Sequence, residues 1–253
     1  MATRNEIIEY ADEMLDAAGF SDYGPNGLQV AGAAEVTTIA TAVSCTLDVF
    51  ERAAALGAQL VLVHHGLFWR NTPQVIDRFM RERLRTLFDA DINLVAYHLP
   101  LDAHSSLGNN ALILKKLGLD ATELPFALHG GRPIGLVGRF AAPLDWGEFT
   151  GRVRGAMGQD PLLLGIEPET VQTVAVCSGG AAGELPAAIE LGADVLVTGE
   201  PAEGTHAAAT EGNIAFVAAG HYASETFGVR ALGEQLAAQF GLQHEFLRSP
   251  NPV

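Results

Sequence analysis

Residues 41–66 read TAVSCTLDVFERAAALGAQLVLVHHG, and this stretch decides the fold class. It opens on a short β-branched run, passes into TLDVFERAAALG with apolar positions at helical spacing, turns at Gly57 and enters LVLV, a strand uninterrupted by charge. A strand without polar alternation is the signature of a sheet covered on both faces. A strand, a helix and a second strand in so few residues make a βαβ unit, hence a mostly parallel sheet. The stretch recurs. Residues 174–200, VAVCSGGAAGELPAAIELGADVLVTGE, repeat the order of strand with cysteine, turn, helix, glycine and strand, again with polar residues at the strand's end. The elements that follow also match. DADINLVAYHLPLD (89–102) and TEGNIAFVAAGHYASE (210–225) each place a histidine at a strand end and a carboxylate four residues later. The reading is an α/β protein of two related lobes, an internal repeat of strand–helix–strand units with a di-metal cleft between them.

Working outward, RNEIIEYADEMLDAA (4–18) predicts a helix ending at Gly19, and SDYGPNGLQVAG (21–32) reads as a Gly/Pro/Asn loop. PQVIDRFMRERLRTLFDAD (73–91) and NNALILKKLG (109–118) predict helices. Periodicity is lost over 117–131, so the lobes are expected at 1–125 and 126–253, with the C-terminal helix packing back on the first. In the second half, FALHGGRPIGLVGRF predicts two strands, WGEFTGRVRGAM a helix, GTHAAATEG a helix and RALGEQLAAQFG the last helix, before a tail HEFLRSPNPV.

Composition narrows the function. A net charge of −15 argues against non-specific nucleic-acid binding, which needs Lys and Arg to neutralise phosphates. No apolar run approaches the roughly 18–20 residues of a membrane span, and the first residues alternate charge and apolar side chains without the core of a signal peptide. The reading is a soluble cytoplasmic protein. Cys45 and Cys177 sit in apolar runs and form no CxxC pattern, so both are expected as buried thiols. There is no P-loop, GxSxG or dinucleotide fingerprint.

The chemistry lies at the strand ends, where ligands of open α/β sheets bind. His64 and His65 follow LVLV and can diverge to serve two ions. Asp102 follows His98 across Pro100, which predicts an extended loop rather than a helix over that gap; Asp102 is expected to ligate, to cap the next helix, or both. His221 and Glu225, four apart at a helix start, share a face and can meet the same ion or neighbouring ones. A carboxylate has two oxygens and can bridge two ions. Nitrogen and oxygen ligands without thiolate suit Zn, Mn, Fe or Ni. His98 and His206 are the candidate catalytic groups. Glu200 and His206 are candidates for orienting the ligands, with a helix cap as the plainer role for Glu200. Asn26-Gly27 reads first as a turn and secondarily as an active-site loop.

Taken in order, NGLQV, HHG, HLPLDAH with GNN, TGE with a later histidine, and GHYASE resemble the Nif-three-like dinuclear metal-centre family, labelled GTP cyclohydrolase I type 2 homologues. The resemblance spans the chain. It implies metal ligands at His64, His65, Asp102, His221 and Glu225, with Glu225 bridging, two divalent ions per chain, and a homohexameric ring in the compact form that lacks an inserted domain. The expected function is metal-dependent hydrolysis of a nucleotide or related small molecule, with GTP cyclohydrolase-type activity among the options. The alternative is a non-catalytic metal-binding scaffold, store or regulatory partner.

Overall fold

A computed structural model describes residues 1–253. They form two compact units: Met1–Leu101 with Gly228–Pro250, and Asp102–Phe227 with Asn251–Val253.

The first unit is built on a five-stranded sheet in the order Gln243–Phe246, Thr38–Ser44, Leu60–His65, Asn93–Ala96, Gly27–Val30. The first four strands run parallel and the last is antiparallel. Leu60 to Val63 are all buried, as a strand covered on both faces requires. The helix Leu47–Leu56 returns the chain between two of these strands. Thr46 caps its start by accepting from Val49 N at 3.3 Å, and Gly57 closes it at φ 71°, a left-handed turn that suits glycine. Val49, Phe50 and Ala53 of that helix pack with Val61, Val63 and Leu94 of the sheet.

The second unit has a seven-stranded sheet. Leu162–Gly165, Ala215–Ala218, Val195–Thr198, Thr170–Val176, Arg132–Asp145 and Asp120–Ala121 lie in that order, and Phe126–His129 makes a hairpin with Arg132–Asp145. Only the central three, Thr170–Val176, Val195–Thr198 and Ala215–Ala218, are parallel. The expectation of a mostly parallel sheet therefore describes the first unit, while the second is mixed. Phe149 and Val153 of the helix Trp146–Met157 pack with Val174, Val176, Val195, Val197 and Val217.

Both units contain the same run of strand, helix, strand, helix, strand. Cys45 and Cys177 each follow the first strand of that run, and each donates its backbone N–H to the end of the next parallel strand, to His65 O at 3.2 Å and Val197 O at 3.0 Å. Both thiols are buried and free.

Four local expectations need correction. The stretch read as a loop contains the strand Gly27–Val30, which pairs antiparallel with Asn93–Ala96. The tail contains Gln243–Phe246, which adds a parallel edge strand beside Thr38–Ser44. The helix expected from residue 73 is Arg78–Asp89, because the Asp77 side chain caps it there by accepting from Met80 N at 2.8 Å. Finally, residues around Pro100 are helical, not extended: Leu99–Ala103 is a short helix. Pro100 sits in its first turn, where a missing N–H costs nothing. No helix is long and apolar enough to cross a membrane.

Candidate metal centre

In the first unit, the ends of two neighbouring parallel strands bring three imidazoles together. His64 and His65 close the strand Leu60–His65, and His98 follows Asn93–Ala96 by two residues. One ligand nitrogen from each of the three lies within 4.8 Å of the others. The rings of His64 and His98 are 4.9 Å apart, and those of His64 and His65 4.8 Å. His64 is fully buried, and its Nδ1 lies 3.0 Å from the Tyr97 carbonyl oxygen. A carbonyl only accepts, so Nδ1 carries the hydrogen and Nε2 carries the lone pair a metal uses. His65 Nδ1 lies 3.4 Å from Ser44 Oγ. His64, His65 and His98 thus form a group whose ligand atoms lie close enough together that it could hold a metal ion.

His98 is gripped from behind. Its Nδ1 lies 2.8 Å from Asp22 Oδ1, and its backbone N–H donates to Asn26 Oδ1 at 2.9 Å. Burial alone would raise the Asp22 carboxyl, but the hydrogen bond and charge of His98, with donors from Asn26 and Leu99, hold it at about 2. Sequence reading missed Asp22 altogether and read Asn26 first as a turn residue and only second as part of an active-site loop; their contacts reach 72 to 77 residues along the chain, which no local pattern reveals.

In the second unit the polar residues are mostly carboxylates. Asp102 is buried, and its Oδ1 accepts from Asn109 Nδ2 at 2.8 Å and Ser178 Oγ at 3.1 Å. These donors fix the orientation of the carboxylate. Asp102 does not cap the following helix: Asn109–Leu117 starts at Gly108, without a side-chain cap. His221 opens the short helix His221–Ser224, and Glu225 ends it. His221 Nε2 lies 3.2 Å from Glu225 Oε1, and His221 Nδ1 lies 3.2 Å from Glu200 Oε1. The buried Glu225 carboxylate, helped by Glu200 and opposed by burial, pushes the imidazole up to about 9. Glu200 thus partners His221 directly and does not cap a helix; the helix Thr205–Glu211 starts at Gly204.

Glycines make room for this group. Gly179 has φ +69°, and a Cβ there would overlap Glu225 Oε1. Its N–H donates to Ser224 Oγ at 3.0 Å, and its carbonyl accepts from Gly199 N and Thr198 Oγ1. The sequence showed these glycines only as turn markers.

His206 stands elsewhere. It is exposed on the helix Thr205–Glu211, where its Nδ1 accepts from Gly165 N at 3.2 Å and ties that helix to the strand Leu162–Gly165. That contact gives it a part in the fold. His98, the other catalytic candidate, is the one the structure brings beside His64 and His65.

The donor chemistry fits a borderline divalent cation: imidazole nitrogen and carboxylate oxygen, with the histidine ligands oriented by acceptors and Asp102 by donors. The cysteines do not join in. Neither cysteine belongs to a group that could hold a metal ion, and burial pushes the Cys45 thiol up to about 11 and, beside Asp102, Glu184 and Glu225, raises Cys177 well above its ordinary value.

The profile of the Duf34/NIF3 (NGG1p interacting factor 3) family matches residues 2–252. The chain is similar to the GTP cyclohydrolase 1 type 2 homolog of Pseudomonas aeruginosa, 42% identical over 98% of this chain and 97% of that protein. Among solved structures it is similar to the protein ybgI of unknown function, at TM-score 0.93 and 39% identity, with 100% of both chains covered. TTHA1606 from Thermus thermophilus superposes at TM-score 0.89 with 37% identity, also over 100% of both chains.

Proposed function

The chain belongs to the Duf34/NIF3 family, and from that premise we propose that it is a dinuclear metal protein that hydrolyses a nucleotide or a related small molecule. The ions are held by His64, His65, Asp102, His221 and Glu225. When bound, they would supply a water activated near neutral pH and polarise the electrophilic group of the substrate.

The observation that carries this reading is the imidazole cluster. The ligand nitrogens of His64 and His65 lie within 4.8 Å of one another and of the His98 ring, one of them on a fully buried ring, an arrangement that can hold a cation. Buried polar groups are retained where they are satisfied or where they work. The label GTP cyclohydrolase 1 type 2 homolog, carried by relatives about as long as this chain, supports a nucleotide among the substrates to try. The chain's own residues bind and orient: Tyr97 and Ser44 set the first pair of rings, Asn109 and Ser178 set Asp102, and the Gly179 turn seats Glu225. The reading includes a ring of six copies in solution.

The test is turnover. Protein reconstituted with Zn, Mn or Fe is offered nucleoside triphosphates, phosphoesters and cyclic amides, with Glu225→Gln as the paired control. Turnover in the wild type that is lost in a folded Glu225→Gln protein supports hydrolysis. A metal-loaded wild type that turns over none of these classes, while the ions still stabilise it, overturns the catalytic part in favour of a metal-binding scaffold.

A further inference from the structure

Asp22 is the most heavily engaged carboxylate near the imidazole cluster. Its side chain is 2% exposed. Oδ1 accepts from Tyr23 N at 2.6 Å and faces His98 Nδ1 at 2.8 Å. Oδ2 accepts from Leu99 N at 2.9 Å and Asn26 Nδ2 at 3.0 Å. Asn26 then returns the brace, its Oδ1 accepting the backbone N–H of His98. Ring and backbone of one histidine are thus clamped by two residues from a loop some 72 to 76 positions earlier. A histidine needed only to fill space does not require such a clamp.

We propose that Asp22 is a positioning residue: it holds His98 as the Nδ1–H tautomer, with the lone pair of Nε2 turned toward His64 and His65, so that His98 takes a proton from the water that attacks the substrate. An ionised carboxylate saturated by four donors accepts only, so the hydrogen between it and the ring belongs to the ring nitrogen. Nε2 is then the acceptor. In the step, one O–H bond of the water breaks and an Nε2–H bond forms, the electron pair of the O–H bond remains on the attacking oxygen, and the negative Asp22 offsets the imidazolium. Trp69, whose ring lies edge-on 5.2 Å from that of His98, limits the ring's freedom further. The catalytic half of this inference rests on the hydrolase reading; the tautomer does not.

The isosteric change Asp22→Asn separates the two. The new amide can put its NH2 at the Oδ1 place, facing Tyr23 N and His98, or at the Oδ2 place, facing both Leu99 N and Asn26 Nδ2. The first costs one hydrogen bond and the second costs two, so the NH2 faces His98 and flips its tautomer while the bonds from Leu99 N and Asn26 Nδ2 survive. Neutron diffraction from deuterated crystals reads this directly. The expected result is a deuteron on His98 Nδ1 and a bare Nε2 in the wild type, and the reverse in Asp22→Asn. A wild-type deuteron on Nε2, on Asp22, or on both ring nitrogens at pH 8.5 overturns the proposal without any variant. So does a variant whose tautomer does not change. If the wild type turns over substrate, Asp22→Asn should lower kcat about 10²–10⁴-fold at unchanged metal content and with little change in KM. An unchanged kcat overturns the proton-transfer role while leaving the metal reading intact, and an inactive wild type overturns the hydrolase reading and with it the proton transfer, while the neutron map still decides the tautomer.

Discussion

The two candidate half-sites hold their ligands by opposite means. In the first unit the candidate ligands are the imidazoles of His64 and His65, with His98 beside them, and acceptors fix two of the three rings: a carbonyl behind His64 and a carboxylate behind His98. In the second unit the ligands are mostly carboxylates, and what fixes them is a set of donors on Asp102 and a glycine turn beneath Glu225. A neutral nitrogen ligand needs its other nitrogen occupied by an acceptor; an anionic oxygen ligand needs donors or empty space beside it. The first half-site should therefore be sensitive to polarity, and the second to charge and to side-chain volume.

Removing charge from the second half-site has the largest expected effect. Glu225→Ala deletes the carboxylate that partners His221, and zinc affinity measured by competition with a chromophoric chelator should fall by more than about 100-fold, beyond the range of supporting residues. Taking away only the orienting donors is milder: Asn109→Ala or Ser178→Ala should each weaken zinc by about 10–100-fold. If either matches Glu225→Ala, Asp102 rather than Glu225 dominates that half-site. Volume comes next. Gly179→Ala puts a Cβ against Glu225 Oε1 at φ +69°, and urea denaturation should show a loss of about 1–3 kcal/mol. The equivalent change at Gly57, where a Cβ meets nothing within 4 Å, keeps the backbone strain without the collision and should cost less.

The smallest effect is one of pH, in the metal-free protein. His221 has its pKa raised to about 9, first by Glu225. A basic group raised on folding stabilises fully below its unfolded value of about 6.5 and loses that contribution as pH rises through about 9. Urea midpoints of the wild type should fall between pH 6.5 and 9.5 by more than those of Glu225→Gln. Equal slopes would mean that the His221–Glu225 pair does not hold in solution.

How much of this the chain advertises depends on the distance over which each contact acts. The buried strands and the helix end at Gly57 were legible because each leaves a short-range mark, an uncharged β-branched run or a glycine after an amphipathic stretch, and the five candidate ligands were picked out by the same kind of mark, a histidine or carboxylate at a strand end. Gln243–Phe246 was not, since an edge strand half open to water alternates weakly and resembles a polar tail. Leu162–Gly165 is likewise a partly exposed edge of only four residues. The helix through Pro100 was misread because proline breaks helices in their interior and is tolerated in the first turn. Asp22 left no mark, because its role is set by a histidine 76 residues later. Gly179 looked like any glycine turn until the Glu225 side chain it makes room for was in place, and Gly199 until the backbone of His221 lay against it.

The most direct test of the central claim is metal content by inductively coupled plasma mass spectrometry on purified protein, beside His65→Ala and Glu225→Ala. One variant falls in each half-site. The account predicts about two transition-metal ions per wild-type chain, as a two-metal hydrolytic site requires, and a clear loss in both variants. Less than about a tenth of an ion per chain after reconstitution with Zn, Mn and Fe, or loss in only one of the two variants, would contradict the proposed ligand set.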